Sequence, residues 1–430
     1  MSTAVVLKSL IQESKDGEWG KGEPFEDSVK MAVIRGTDFE AVRNGNIDAL
    51  PIRYIPKRIA DRKTLQPNDI LLETAGGSKD RPTGRSLFIK SSIIHRSELP
   101  LTCASFSRFI RIDPTKADPR YIFWHLQYLY DADYLRPYHT QHTGVARFQY
   151  TVFSEREELV IPPLPIQRKI AGILSAYDDL IENNTRRIEI LEEMARSIFR
   201  EWFVNFRFPG HEQVQMVDSE LGLIPEGWKL KTLAEFGQVI TGKTPSKKIP
   251  ENFGSYMPFI KTPDMHNNMF CIKVGEYLSE IGVASQRNKT IPPNSLCVSC
   301  IGTAGIVAIT SVPSQTNQQI NSIILQDELN REFLYFALLG LKETINQYGA
   351  NGATMVNLNK GKFESLRVTS PSKNLLFNFH KATASNFEMI RTLQLKNLNL
   401  RQTRDLLLPR LISGEIDVEN LDINTGPIAA

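Results

Sequence analysis

Residues 166–203 read IQRKIAGILSAYDDLIENNTRRIEILEEMARSIFREWF and restrict the possible folds more than any other stretch. Ile170, Leu174, Tyr177, Ile181, Asn184, Ile188, Leu191, Ala195, Ile198 and Trp202 follow one another in alternating steps of four and three residues. That spacing is the seam of a coiled coil, where a 3.5-residue repeat keeps one stripe against a partner helix. The stripe is apolar except at Asn184, and a buried Asn in such a seam fixes register at some cost in stability. Arg168, Lys169, Asp178, Asp179, Arg186, Arg187, Glu192 and Glu193 place charge on the flanks. Pro162, Pro163 and Pro165 set the helix start, and Pro209-Gly210 its end. At about 1.5 Å per residue the helix would be roughly 57 Å long, which suits a spacer.

An apolar seam needs a partner. Leu376, Phe379, Asn386, Ile390, Leu393, Asn397, Leu400, Leu407 and Leu411 follow similar spacing, with gaps at Thr383 and Arg404. Ser370-Pro371 predicts an N-cap and a first-turn proline for this second helix, and Pro409 predicts a stop or a kinked end. The two helices can pair within one molecule as an antiparallel coiled coil.

Composition mainly excludes classes. A chain of 430 residues has room for two to three domains. With 41% apolar and 23% charged residues it reads as soluble and globular, and no apolar run approaches the roughly 20 residues that span a bilayer. The N-terminus lacks a basic segment followed by an apolar block, and four cysteines in this length predict no disulfide framework. Both features predict a cytoplasmic protein. A net charge of +3 neither demands nor excludes nucleic acid, because local patches decide such binding.

Segments 1–157 and 206–366 match each other in order. MAVIRGTDF (31–39) pairs with MPFIKTPDM (257–265), and TLQPNDILL (64–72) with TIPPNSLCV (290–298), both at an offset of 226. TGRSLFIK (83–90) pairs with TAGIVAIT (303–310), and TCASFSRFIR (102–111) with TNQQINSIIL (316–325). YIFW (121–124) pairs with FLYF (333–336), TGVA (143–146) with NGAT (351–354), and LVIPP (159–163) with RVTSP (367–371), the offset falling to 208. Seven matches in one order predict a tandem duplication, each unit a mixed α/β (α+β) domain followed by a long helix. The predicted layout is a first domain at 1–157, a helix at 158–205, a second domain at 206–366, a helix at 367–416 and a flexible tail at 417–430. Strands are predicted at 69–73, 86–90, 109–112, 295–300, 305–310 and 320–325, and helices at 121–130 and 332–341.

Catalytic patterns are weak or missing. GQVITGKT (237–244) matches the phosphate-loop pattern, but no continuous apolar strand precedes it, and Pro245 and Pro250 disfavour the helix that must follow. His266, Cys271, Cys297 and Cys300 formally offer four zinc ligands, yet residues 297 and 300 of one strand face opposite sides, so buried thiols are expected and no metal. No methyltransferase tetrad, nuclease PD…ExK set, GxSxG or HExxH occurs, and no catalytic residue is assigned. Binding chemistry remains. Lys79, Arg81 and Arg85 lie on a glycine-rich loop, and Gln141, His142 and Arg147 lie among tyrosines. In the second unit Lys243, Lys247, Lys248, Lys261, His266, Asn267, Gln315, Asn317, Gln318 and Asn351 are candidates. Such side chains read base edges in the major groove, and lysines also hold phosphates.

PPLPIQRKIAGILSAYDDLIENNTRRIEILEEMARSIFREWF (162–203) closely resembles the central region of specificity subunits of type I restriction–modification systems. LRQTRDLLLPRLISGEID (400–417) resembles their C-terminal region, and IPEGWKLKTLAEFGQVITGKTPS (224–246) the start of their second target-recognition domain. No similar start precedes Met31, which leaves the first 30 residues without an assigned counterpart. The resemblance implies two recognition domains separated by paired long helices, each domain reading one half of an asymmetric bipartite DNA site. It implies two modification subunits carrying S-adenosylmethionine, restriction subunits using ATP and Mg²⁺, and no cofactor in this chain. Ile181, Asn184, Ile188, Leu191, Arg196, Ile198, Trp202, Ile390, Leu393, Leu400, Arg404 and Leu407 are then the candidates for helix seam or subunit contact. Arg196 and Arg404 match at an offset of 208. A specificity subunit of a fused methylase–nuclease system and a coiled-coil scaffold without DNA are the alternatives.

Overall fold

The apolar run Ile70–Glu73 is buried along its whole length and forms an inner strand. It pairs antiparallel with Ser86–Phe88 on one side and Ser107–Ile112 on the other, and Ile11–Asp16 lies beyond at the edge. A second sheet runs Ile52–Pro56, Ser28–Ile34, Leu101–Cys103, its last pair parallel. Thr3–Val6 pairs with Glu158–Ile161 and so ties the two ends of this region together. The computed structural model describes residues 2–77, 81–141, 145–220, 222–349 and 356–423.

The arrangement recurs. Gly237–Thr241, Ile320–Leu325, Leu296–Ser299 and Val307–Thr310 repeat the four-stranded order, with Phe270–Cys271 added at the edge. Tyr277–Leu278, Phe253–Ile260 and Gln315–Thr316 repeat the three-stranded sheet, again with a parallel last pair. Lys229–Thr232 pairs with Arg367–Ser370 as Thr3–Val6 does with Glu158–Ile161. The first 30 residues therefore do have a counterpart, because Thr3–Asp16 repeats as Lys229–Thr241.

Strand registers also correct the sequence matches. Ile70 faces Ile110 where Leu296 faces Ile323, so these strands align at 213 (Ile110 to Ile323) rather than 214. Leu87 aligns with Ala308, and Ile161 with Ser370, each one residue from the sequence match. Short apolar runs match nearly as well one residue either way. A one-residue slip, however, turns every side chain to the other face, so backbone pairing decides.

The chain divides into two compact units, Met1–Asn183 with Asn399–Ala430, and Asn184–Leu398. The division falls inside both long helices. The first helix runs Leu164–Phe199 and continues as a π-helical turn over Arg200–Val204. The second runs Lys373–Ile412 and passes through Pro409, where one lost hydrogen bond in the last turn does not end it. Its cap is Ser372 rather than Ser370, which closes a strand; the Leu375 amide donates to the Ser372 hydroxyl at 3.4 Å.

In the first unit Ile170, Ala171 and Leu174 share a core with Leu408, Leu411 and Ile412, around Tyr121, Trp124 and Phe153; Leu407 packs at its margin. Asp178, expected on the flank, is buried. Arg43 donates to it at 2.9 Å, and Arg404 donates from the second helix. In the second unit Asn184 Nδ2 donates to Asn397 Oδ1 at 2.9 Å, and Asn386 Nδ2 to the Leu191 carbonyl at 3.4 Å. Phe199 lies against Phe379. Numbers that rise on one helix fall on the other, so the pairing there is antiparallel. Ile390 and Leu393 are buried in this unit, and Ile188, Leu191, Ile198 and Trp202 pack at the core margin. Ile181 is buried in the first unit, and Leu400 is half-buried.

The offset of 209 at Ile161 also carries into the helices. Asp178 then corresponds to Phe387 and Arg404 to Ala195, all of them in the seam. The expected match of Arg196 with Arg404 fails. Arg196 sits one residue round the helix, on the flank with Glu192, while Arg404 faces Asp178. Among the described residues no helix is long and apolar enough to cross a membrane.

Candidate nucleic-acid interface

Three segments of the first unit meet at one end of its four-stranded sheet. The Thr74 and Ala75 amides donate to the Phe106 carbonyl at 2.8 and 3.1 Å, and the Gly76 amide to the Ala146 carbonyl at 3.1 Å. Ala75 bridges Arg147 on the hairpin His139–Gln141/Ala146–Phe148. The Thr83 amide donates to His139 Nδ1 at 3.1 Å, which places the ring proton on Nε2. This convergence brings together Arg81, Gln141 and Arg147, all exposed.

Arg81 stays close to the loop backbone, with Nη2 donating to the Gly76 carbonyl at 3.3 Å. Arg85 is committed inward. It grips buried Glu73 through Nε (2.9 Å) and Nη2 (2.6 Å) and also donates to the Gly36 carbonyl at 2.7 Å. Burial works against this guanidinium, but the Glu73 carboxylate outweighs it and holds the Arg85 pKa above its ordinary value. The fork shapes the loop and leaves few donors for a ligand. Lys79 and His142 lie outside the described residues, as does Asn351.

In the second unit Lys243, Lys247 and Lys248 are exposed and form no ion pair among the described residues. Gly237–Thr241 is an edge strand, and no helix follows it before the short turn Pro250–Asn252, so the phosphate-loop geometry does not form. Lys261 pairs with Glu276 at 2.5 Å; His266 and Asn267 are exposed on a turn, where Asn267 takes a left-handed φ of 58°. Gln318 is exposed and accepts from the Thr244 hydroxyl at 2.6 Å. Gln315 is fully buried. It donates to the Thr290 hydroxyl at 2.9 Å and accepts from Gln286, which also donates to the Lys243 carbonyl. That network positions the Lys243 loop, and Gln315 itself cannot reach a groove.

Cys297 packs with Ile260 and Met265, and Cys300 with the opposite core around Phe333, as the strand alternation requires. Burial pushes their thiols up to about 12 and about 11, so both are neutral. His266 is exposed on the surface, whereas both thiols are buried.

Two basic sites differ between the units. The Glu18 amide bonds the Cys103 carbonyl as the Lys243 amide bonds that of Thr316. The Leu65 amide bonds Leu101 as the Ile291 amide bonds Ser314, which makes Lys63 the counterpart of Lys289. In the first unit Lys63 and Glu18 pair at 3.3 Å. In the second, both positions are lysine. Sequence reasoning did not single out Lys289, nor exposed Phe106 and Asn357; each needed the strand register before its position had meaning.

Comparison with known proteins adds the following. The family model described as type I restriction modification DNA specificity domain matches residues 30–193 and again 225–375. The type I restriction enzyme HindI specificity subunit of Haemophilus influenzae is 32% identical over 463 residues, covering 90% of this chain and 98% of that protein. The MjaIX specificity subunit of Methanocaldococcus jannaschii is 28% identical over 302 residues, covering 69% and 70%. The crystal structure of the type I restriction–modification S subunit from M. genitalium shares the fold, with a TM-score of 0.57 at 16% identity over 96% of each chain.

Proposed function

The chain belongs to the type I restriction–modification DNA specificity family, and we propose that each of its units reads one half of an asymmetric, bipartite DNA site. It is a DNA sequence-specificity subunit, a non-catalytic recognition component whose partners are DNA and the other subunits of its system. The single observation that carries the bipartite reading is the duplication. Strand order, register and converging loops recur, while the side chains on those loops differ. One scaffold used twice with different surface chemistry is what two unlike half-sites require.

The long helices set the spacing between the halves. One turn of DNA is about 34 Å, so a rod of the order of 57 Å can serve domains in successive major grooves. Two modification subunits dock on the helices and bring S-adenosylmethionine and the adenine pocket. The target adenine must leave the stack to be methylated, and that pocket lies outside this chain. Restriction subunits bring ATP and Mg²⁺. Lys243, Lys247, Lys248 and Lys289 hold phosphates and make binding salt-sensitive.

The test is co-expression with the modification subunit in a methylation-free host, followed by sequencing for N6-methyladenine. The expected result is a bipartite motif with a fixed gap that disappears without this chain. A contiguous motif, or none from an active partner, would overturn the two-domain reading.

A further inference from the structure

Phe106 is 56% exposed on the turn between Leu101–Cys103 and Ser107–Ile112, an unusual place for a phenyl ring. The turn is not loose. Its carbonyl at Phe106 accepts from both Thr74 and Ala75. In the second unit the Cys300 amide donates to the Gln319 carbonyl at 2.7 Å, as Thr74 does to Phe106 at 2.8 Å. Gln319 thus stands where Phe106 stands. Gly76 and Gly302 are likewise equivalent, both in the left-handed region at φ 103° and 76°. A Cβ placed on Gly76 would lie 3.9 Å from the Phe106 ring, and one on Gly302 3.9 Å from Gln319 Nε2.

A second position repeats beside the first. Gly76 bonds the Ala146 carbonyl as Gly302 bonds that of Val356, and Phe148 bonds Thr74 as Leu358 bonds Cys300. Ala75 bridges Arg147, and Ile301 bridges Asn357. Arg147 and Asn357 are therefore counterparts, and both are exposed. The same rigid frame presents phenyl plus guanidinium in one unit and two carboxamides in the other.

Resting on the half-site reading above, we propose that Phe106 with Arg147, and Gln319 with Asn357, are the base-reading pairs of the two units. Phenyl suits a thymine methyl, and a guanidinium suits the O6 and N7 of guanine. Carboxamides suit the N6 and N7 of adenine. Gln319 is pre-oriented for this. Its Oε1 accepts from Asn317 Nδ2 at 3.0 Å and Thr262 Oγ1 at 3.4 Å, which uses both lone pairs. Gln319 therefore offers Nε2, which has no acceptor among the described residues, to N7, while the Asn357 carboxamide supplies the acceptor for N6. The half-site of the first unit then contains G and T at these positions, and that of the second contains A.

The test uses the full methyltransferase complex with Phe106→Ala or Gln319→Ala, mapping methylation over all sequence variants of the wild-type motif. Phe106→Ala should lower discrimination about tenfold at one base pair of one half-site, and Gln319→Ala at one base pair of the other. Phe106→Leu and Gln319→Asn, which keep an apolar group or an amide, should shift the same base pairs less and cover a failure of the alanine variants to fold. A loss that is equal for all sequences, or unchanged discrimination in all four variants, would overturn the assignment. A wild-type complex without a bipartite motif would instead overturn the half-site reading itself.

Discussion

At the helix seam the first unit buries Asp178 between Arg43 and Arg404, while the second puts Phe387 and Ala195 at the equivalent positions. Around the first, Trp124 lies under both guanidiniums. Around the second, Tyr335 and Phe336 pack edge-on against Phe387. The globular parts differ in the same manner, with Glu18 and Lys63 paired in one unit and Lys243 and Lys289 in no ion pair among the described residues in the other. The backbone frame is thus specified by register and by apolar burial. An equivalent position within it accepts an ion cluster or an aromatic contact.

The difference predicts unlike responses to mutation. Asp178→Ala removes the buried carboxylate that Arg43 and Arg404 share, leaves Arg404 only the exposed Asp405, and should cost about 3 kcal/mol in thermal or denaturant unfolding. Phe387→Ala should cost a similar amount, about 3–5 kcal/mol, by opening a cavity, and so remove the aromatic version of the contact. Only the first should depend on pH. Burial alone would raise the Asp178 pKa, but Arg43 and Arg404 pull it below its ordinary value. A depressed carboxylate pKa contributes stability above the unfolded value near 3.9, lost as pH falls below it. Wild-type protein should therefore lose this increment in acid; Asp178→Ala should have none to lose. Equal acid sensitivity of the two would break the contrast.

A smaller effect belongs to the Asn184–Asn397 pair. Asn184→Ala removes the donor to the buried Asn397 Oδ1 and should cost about 1–3 kcal/mol. Replacing both by Leu, which also breaks the Asn397 Nδ2 bond to Thr185 at 3.3 Å, should cost no more than the single change. A double variant less stable than the single would mean that the amides do more than satisfy each other. The smallest effect is electrostatic. Lys243→Glu should reduce the slope of log binding constant against log salt by about 1 through loss of a phosphate contact, with little change in base preference. Glu18→Lys, which copies the second unit onto the first, should steepen it. Unchanged slopes would remove this face from the DNA contact.

Much of this was legible in the sequence. The 4–3 spacing located the first helix, Asn184 announced a polar seam contact, and six of the strands followed from short apolar runs between turn residues. What escaped depended on cross-strand register. The apolar run marked a strand only at 109–112 and gave no reason to single out Phe106, which the backbone places on the turn before Ser107–Ile112. Arg85 looked like a solvated loop cation because Glu73, its partner, lies across a hairpin. Gln315 looked available because polarity, without the fold, cannot reveal a buried network. The Arg196–Arg404 match failed by one residue, which on a helix is about 100° of rotation.

The central claim is that one frame, used twice, reads two different half-sites. Replacing residues 1–157 by a second copy of residues 227–366 tests it most directly, with methylation mapped in the assembled complex. Two identical halves, both those of the second unit, separated by a fixed gap, are predicted. Retention of the original asymmetric motif would contradict the account.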